Sequence, residues 1–232
     1  MFGDKRWYLF SLLGNKVYIS ASFLIVMALF AFSGVQDASQ LMVGLLWIPI
    51  LFISILLHEL GHAVASKSLG YGNSQIVFWG LGGVAVNSYS GRRAPKKDII
   101  VSLAGPAVSF VLAGLSFGAW MAVEGAMTST GLFGKFLELM FMANMFWAVF
   151  NMLPIYPMDG GQALSSGLKL FYKNQGKALR TTGIVSIVAL VVTIGISFPL
   201  FGGPGTFMLL LGAYFAYLNW GLIQNGRARQ WF

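Results

Sequence analysis

"ISILLHELGHAVAS", residues 53–66, closes a long apolar run that begins near Leu41. A run of that length and character reads as a membrane-spanning helix, where ionisable side chains are costly to hold and point to function. This one carries His58, Glu59 and His62, and the two histidines are the only ones in the chain. Positions four apart on a helix share one face, one turn above the other, so both imidazoles can present a nitrogen to one ion. Glu59 sits beside them, placed to reach a water at that ion without ligating it. This is the H-E-x-x-H arrangement, with zinc on the histidines and the glutamate as general base. Lys67 marks the end of the span nine residues after His58, which puts the pair about 13 Å in from that end at 1.5 Å per residue.

The composition agrees with a membrane setting. Of 232 residues, 57% are hydrophobic and 9% charged, with a mean hydropathy of +0.74, whereas soluble domains carry about a quarter charged residues. The length suits a single membrane-embedded domain over 1–232. The absence of cysteine excludes a disulfide framework, a thiolate metal site and a cysteine nucleophile. The net charge of +8 raises nucleic acid as a partner only until the charges are located.

Stretches long enough to cross a bilayer run over 17–34, 41–66, 99–123, 136–153, 181–200 and 206–223. The expected fold is therefore an all-α polytopic membrane protein of six transmembrane helices. A short membrane-associated β-hairpin lies between the second and third. Every basic residue except Lys135 falls before span one, between spans two and three, between spans four and five, or after span six. The positive-inside rule makes that side cytoplasmic, so both termini are expected inside a cell membrane, in contact with the lipid bilayer. Basicity then belongs to topology, and no nucleic-acid partner is expected. The first span is too long for the apolar core of a signal peptide and reads as a retained helix. "RWYLF" before it, aromatic beside basic, reads as a headgroup anchor.

Between spans two and three, "SQIVFWGLGGVAVNS" (74–88) places two β-prone runs around Gly80, Gly82 and Gly83, a hairpin pattern. It is either a connector packed on the helices or an edge strand, at 76–79 or 84–87, offering backbone groups to an extended peptide. Span four ends in "NMLPIYPMDGG", where Pro154 and Pro157 exclude a regular helix. Irregular backbone at membrane depth is tolerated where it is buried in protein or lines a watery cavity. After it, Lys169, Lys173 and Lys177 recur at four-residue spacing, as in one interfacial amphipathic helix.

Catalytic zinc takes three protein ligands and an open position. Without a third histidine or a cysteine, the third ligand must be one of seven carboxylates. Asp4, Asp37 and Asp98 lie in or beside loops, and Glu124 and Glu138 lie near the outer face. Asp159 remains, followed by Gly160 and Gly161, which let backbone approach a metal. A local alternative makes Asp159 a helix N-cap with Gln162 at the capping-box position. Ser54, one turn before His58, is a further partner for an imidazole.

"HELGH", "NMLPIYPMDGG", "GLGGVAVN" and "SLAGPAVSF" in this order resemble the site-2 protease family of intramembrane zinc metalloproteases. The resemblance covers most of the chain, in a minimal form without accessory domains. It implies one zinc per chain on His58, His62 and Asp159, with Glu59 activating water. It implies that Asn151 orients the substrate backbone and that the hairpin, through Ile76, Val77, Phe78, Val84, Ala85 and Val86, faces the substrate strand. Relatives often read G-P-x-x-N in span three, whereas Ser109 follows "GPAV" here, so a side-chain contact is lost or shortened. Gly105 and Pro106 serve equally as helix packing and a kink.

The expected reaction is hydrolysis of a peptide bond in or near the transmembrane helix of a single-span membrane protein. A separate membrane protein is the expected regulator. Two rivals stand beside it: a membrane metalloprotease with Glu124 or Glu138 as third ligand, and a non-proteolytic scaffold that retains a metal site.

Overall fold

The computed structural model describes residues 5–32, 35–80, 82–126, 131–172, 174–201, 203 and 205–226. Strands β1 (Arg6–Leu12) and β2 (Asn15–Ser20) precede helices α1 (Ala21–Phe32) and α2 (Ala38–Ser68). Strands β3 (Ser74–Trp79) and β4 (Gly82–Asn87) follow, and then α3 (Pro95–Ala126), α4 (Gly131–Asn151), α5 (Asp159–Phe171), α6 (Gln175–Phe201) and α7 (Thr206–Asn225). Among the described residues, α2, α3, α4 and α6 contain stretches long and apolar enough to cross a membrane.

The protein is mostly helical, but the expectation of helices with one hairpin needs correction. Four strands form a single sheet in the order β1-β2-β3-β4. The stretch read as the start of span one is β2 up to Ser20, and "RWYLF" is β1. Leu13 and Gly14 join them as a two-residue loop with φ of 51° and 84°, positive at both positions as the hairpin turn that suits strand twist requires. Asn15 ties the hairpin to the rest of the sheet by accepting the Ser74 N–H at 2.7 Å. β2 then runs parallel to β3, with Val17 opposite Ile76, and β3 runs antiparallel to β4, with Ile76 opposite Ala85. β3 is therefore paired along both sides, which removes 76–79 as an edge strand. β4 and β1 are the sheet's edges.

Contacts divide the chain into two compact units. The first is Met1–Ser90 with Ala104–Val149, the second Gly91–Leu103 with Phe150–Phe232. In the first, Val17, Ile19, Ile76 and Phe78 of the sheet pack with Phe23, Met27, Ile55, Leu56 and Ala63 of α1 and α2. Phe78 stacks on Phe52 at 5.0 Å between centroids. At two glycines of α2, backbones of neighbouring helices approach closely. A Cβ at Gly44 would collide with the Ala31 carbonyl, and one at Gly61 would lie 2.8 Å from the Ala104 carbonyl oxygen of α3. Small residues at such crossings are how helices gain van der Waals contact without a hydrophobic driving force from water.

In the second unit, Ile155 and Met158 of the loop after α4 pack with Leu190 of α6 and with Phe215 and Leu218 of α7. The predicted single basic helix is in fact two elements. α5 ends at Phe171, with Tyr172 as an extended C-cap, and α6 begins at Gln175. Lys169 and Lys177 thus belong to different helices, and Lys173 lies outside the described residues, as do Gly34, Arg227 and Arg229 of the expected spans and flanks.

Candidate metal centre

Both histidines lie on α2 and are almost fully buried, at 2% and 8% exposure. Their Nε2 atoms are 3.2 Å apart, and the rings meet edge to face with centroids at 4.9 Å. A tetrahedral ion held at about 2.0–2.1 Å from each nitrogen needs them about 3.3 Å apart, so the pair fits a shared cation. Ser109 Oγ of α3 lies 2.9 Å from His58 Nδ1. With the hydroxyl accepting from Nδ1–H, the lone pair is left on Nε2, the atom facing His62.

The space before the two imidazoles is kept open by an absent side chain. A Cβ at Gly105 would sit 2.8 Å from His58 Nε2 and collide with His62 Nε2. Gly105 and Ser109 are four apart on α3, so one face of that helix supplies both the opening and the hydrogen bond. Gly105 is thus more than helix packing. The shorter serine, read as a departure from the family pattern, makes the contact that Ser54 was expected to make. Ser54 instead accepts from Asn144 Nδ2 of α4 at 2.9 Å and bonds Met140 Sδ.

Glu59, also buried, lies against β4. A Cβ on Gly83 would be 2.6 Å from Glu59 Cγ and 3.0 Å from Oε1. Only glycine at this point lets the edge strand run directly over the carboxylate.

Asp159 is the first residue of α5 and 8% exposed. It is not the N-cap: that position is Met158, with no side-chain capping bond, and Gln162 Nε2 donates to the Pro157 carbonyl at 2.9 Å. A Cβ at Gly160 would collide with the Met152 carbonyl, and one at Gly161 with Ile155 and Tyr156 backbone. The two glycines therefore let α5 start tight against its own preceding loop. That loop is held from α6 and α7. Tyr156 N–H donates to Ser186 Oγ at 3.0 Å, and Asn219 Nδ2 donates to the Tyr156 carbonyl at 2.6 Å.

His58 and His62 are buried on α2, and Asp159 is buried at the head of α5. Two imidazoles and a carboxylate form a donor set suited to zinc. Among the described residues, neither Glu124 nor Glu138 belongs to a group of three side chains able to hold an ion. Asn151 ends α4 and is half-buried.

A membrane protein with buried helical histidines, a carboxylate and an adjacent glutamate has the parts of a metallohydrolase. The profile of peptidase family M50 matches residues 46–195, and the chain belongs to that family. It is 29% identical over 227 residues to the candidate zinc metalloprotease sll0528 of Synechocystis, covering 93% of this chain and 57% of that one. With zinc metalloprotease MJ0392 of Methanocaldococcus jannaschii it shares 28% over 166 residues, 71% of this chain and 46% of the other. The chain thus spans about half the length of these relatives. The solved site-2 protease of Methanocaldococcus jannaschii has the same fold, with a TM-score of 0.64 at 19% identity over 98% of this chain and all of that one.

Proposed function

We propose that the chain is an intramembrane zinc endopeptidase that cuts peptide bonds in or near the transmembrane helix of single-span membrane proteins. The observation that carries this reading is the buried His58–His62 pair with Glu59 lying under the edge strand β4. His58, His62 and Asp159 would hold one zinc, which when bound supplies a Lewis acid for the scissile carbonyl and acidifies water. Glu59 takes a proton from the attacking water and delivers it to the leaving amine. Ser109 holds the His58 ring by Nδ1. Burial of Glu59 excludes bulk solvent from the proton-transfer step.

A helical substrate hides its carbonyls in internal bonds, so it must be extended before attack. β4, through Val84, Ala85 and Val86, offers the edge for that extended segment, and Asn151 supplies amide hydrogen bonds to it. Ile76, Val77 and Phe78 act from behind, as the strand that fixes β4. The whole of 1–232 would act as one catalytic domain with six crossings, α1 and α7 completing the four long apolar helices. Both termini would be cytoplasmic, and a separate membrane protein would be the regulator. The deciding experiment compares membrane proteomes of cells carrying wild type or Glu59→Gln. A single-span protein that accumulates uncut only in the variant is expected; proteomes that do not differ between wild type and Glu59→Gln would leave the scaffold reading in place.

A further inference from the structure

The second unit contains a polar cavity of about 190 Å³, far above the roughly 10–15 Å³ that one water requires. Gln162, Ser165, Ser166 and Lys169 line it from α5 at helical spacing, Asp98 and Ser102 line it from α3, and Arg93 closes one side. The lining carries two cations and one carboxylate, and that carboxylate is engaged by Arg93 at 3.8 Å.

Ser165 is 2% exposed, lines the cavity, and its hydroxyl has no hydrogen-bond partner among the described residues. A buried hydroxyl of this kind normally has one. Burial pushes the Lys169 ammonium below its ordinary value, opposed by Asp98 and reinforced by Arg93, so the lining leaves this cation incompletely compensated. Just beyond Lys169, Leu170 and Phe171 of α5 are exposed, Phe171 at 84%. Apolar side chains beside a cationic pocket match the boundary between acyl chains and headgroups.

We propose that this cavity is an anion site for a phosphate group, with Lys169, Arg93 and the Ser165 hydroxyl as its donors. Ammonium and guanidinium both bind phosphate oxygens through charge-assisted hydrogen bonds. The phosphate comes either from an anionic phospholipid headgroup or from solution, and the test separates these sources without relying on proteolysis.

The full chain, purified in detergent, is titrated with phosphatidylglycerol or phosphatidylcholine and its bound lipid counted by native mass spectrometry. In parallel, its melting temperature is followed against inorganic phosphate. Wild type is expected to prefer phosphatidylglycerol. Lys169→Met should weaken that binding by about tenfold, the scale of a lost charge-assisted bond. Ser165→Ala should weaken it less, and Lys177→Met, which removes an exposed cation on α6, should leave it unchanged. A phosphate-dependent rise in melting temperature that Lys169→Met abolishes, without lipid preference, keeps the site and assigns the anion to solution. Absence of both effects in wild type overturns the proposal. So does Lys169→Met binding as wild type does, or Lys177→Met weakening binding equally.

Discussion

Ser109 holds His58 through Nδ1 while Nε2 faces its neighbour, and removing that hydroxyl separates positioning from ligation. Ser109→Ala is expected to weaken zinc binding by about 10–100-fold, measured by competition with a chelator, with the metal-free chain folding as before. Gly105→Ala should fail differently. Its methyl group occupies the space before both imidazoles, so bound zinc and cleavage should both be lost, and raised zinc should not restore them. The H-E-x-x-H spacing made the histidines and Glu59 legible from sequence, because i and i+4 share a face. The same rule joins Gly105 and Ser109 on α3. What the sequence did not disclose is that this face of α3 meets that face of α2, since helix pairing is decided by packing between distant segments. Ser54 is the instructive miss: it lies on the right face by spacing, but α4 brings Asn144 to it.

Elements carry a second set of consequences. β4 passes over Glu59 because Gly83 lacks a side chain, so Gly83→Val should displace the carboxylate and lower kcat. A merely weakened strand would raise KM alone. The chain has no native cysteine, so Ala85→Cys should form disulfides with cysteines placed near a substrate's cleavage site, and not with cysteines at its far end. Asp37 caps the start of α2, its side chain accepting the Gln40 N–H at 2.8 Å. The Ser39 hydroxyl foremost, then the Gln40 N–H, hold the Asp37 carboxyl below its ordinary value. The cap's contribution is therefore complete above the ordinary carboxylate range, about pH 4, and lost as pH falls through the lowered value. Asp37→Asn should flatten that acid limb of a melting-against-pH curve. The β3–β4 hairpin was readable from its β-prone runs and glycines, whereas β2 was hidden in an apolar run. Val17 and Ile19 are as hydrophobic as helical residues, and the Leu13–Gly14 turn is a local signal that hydropathy overrides. The supposed basic helix failed for a related reason: equal spacing of lysines continued across a break at Tyr172 that only backbone geometry reveals.

At the scale of the whole molecule, membrane class and family were legible because composition, motif order and charge distribution agree. Its sheet was not, because it joins the start of the chain to residues some sixty positions later through a parallel β2–β3 pairing. The second unit shows what α6 and α7 contribute. Ser186 and Asn219 grip both backbone polar groups of Tyr156, just before α5 and Asp159. Asn219→Leu should therefore loosen zinc retention, read as faster release to a chelator, while His58 keeps its contact with Ser109. β4 has a consequence of another kind. Were it to hold a guest through main-chain amides, it would be indifferent to how the guest is spelled, and selection would then act on how readily a helix comes undone. Two substrates with unrelated sequences but equally fragile helices would compete as equals, and a single stiffening leucine could rescue either from the blade.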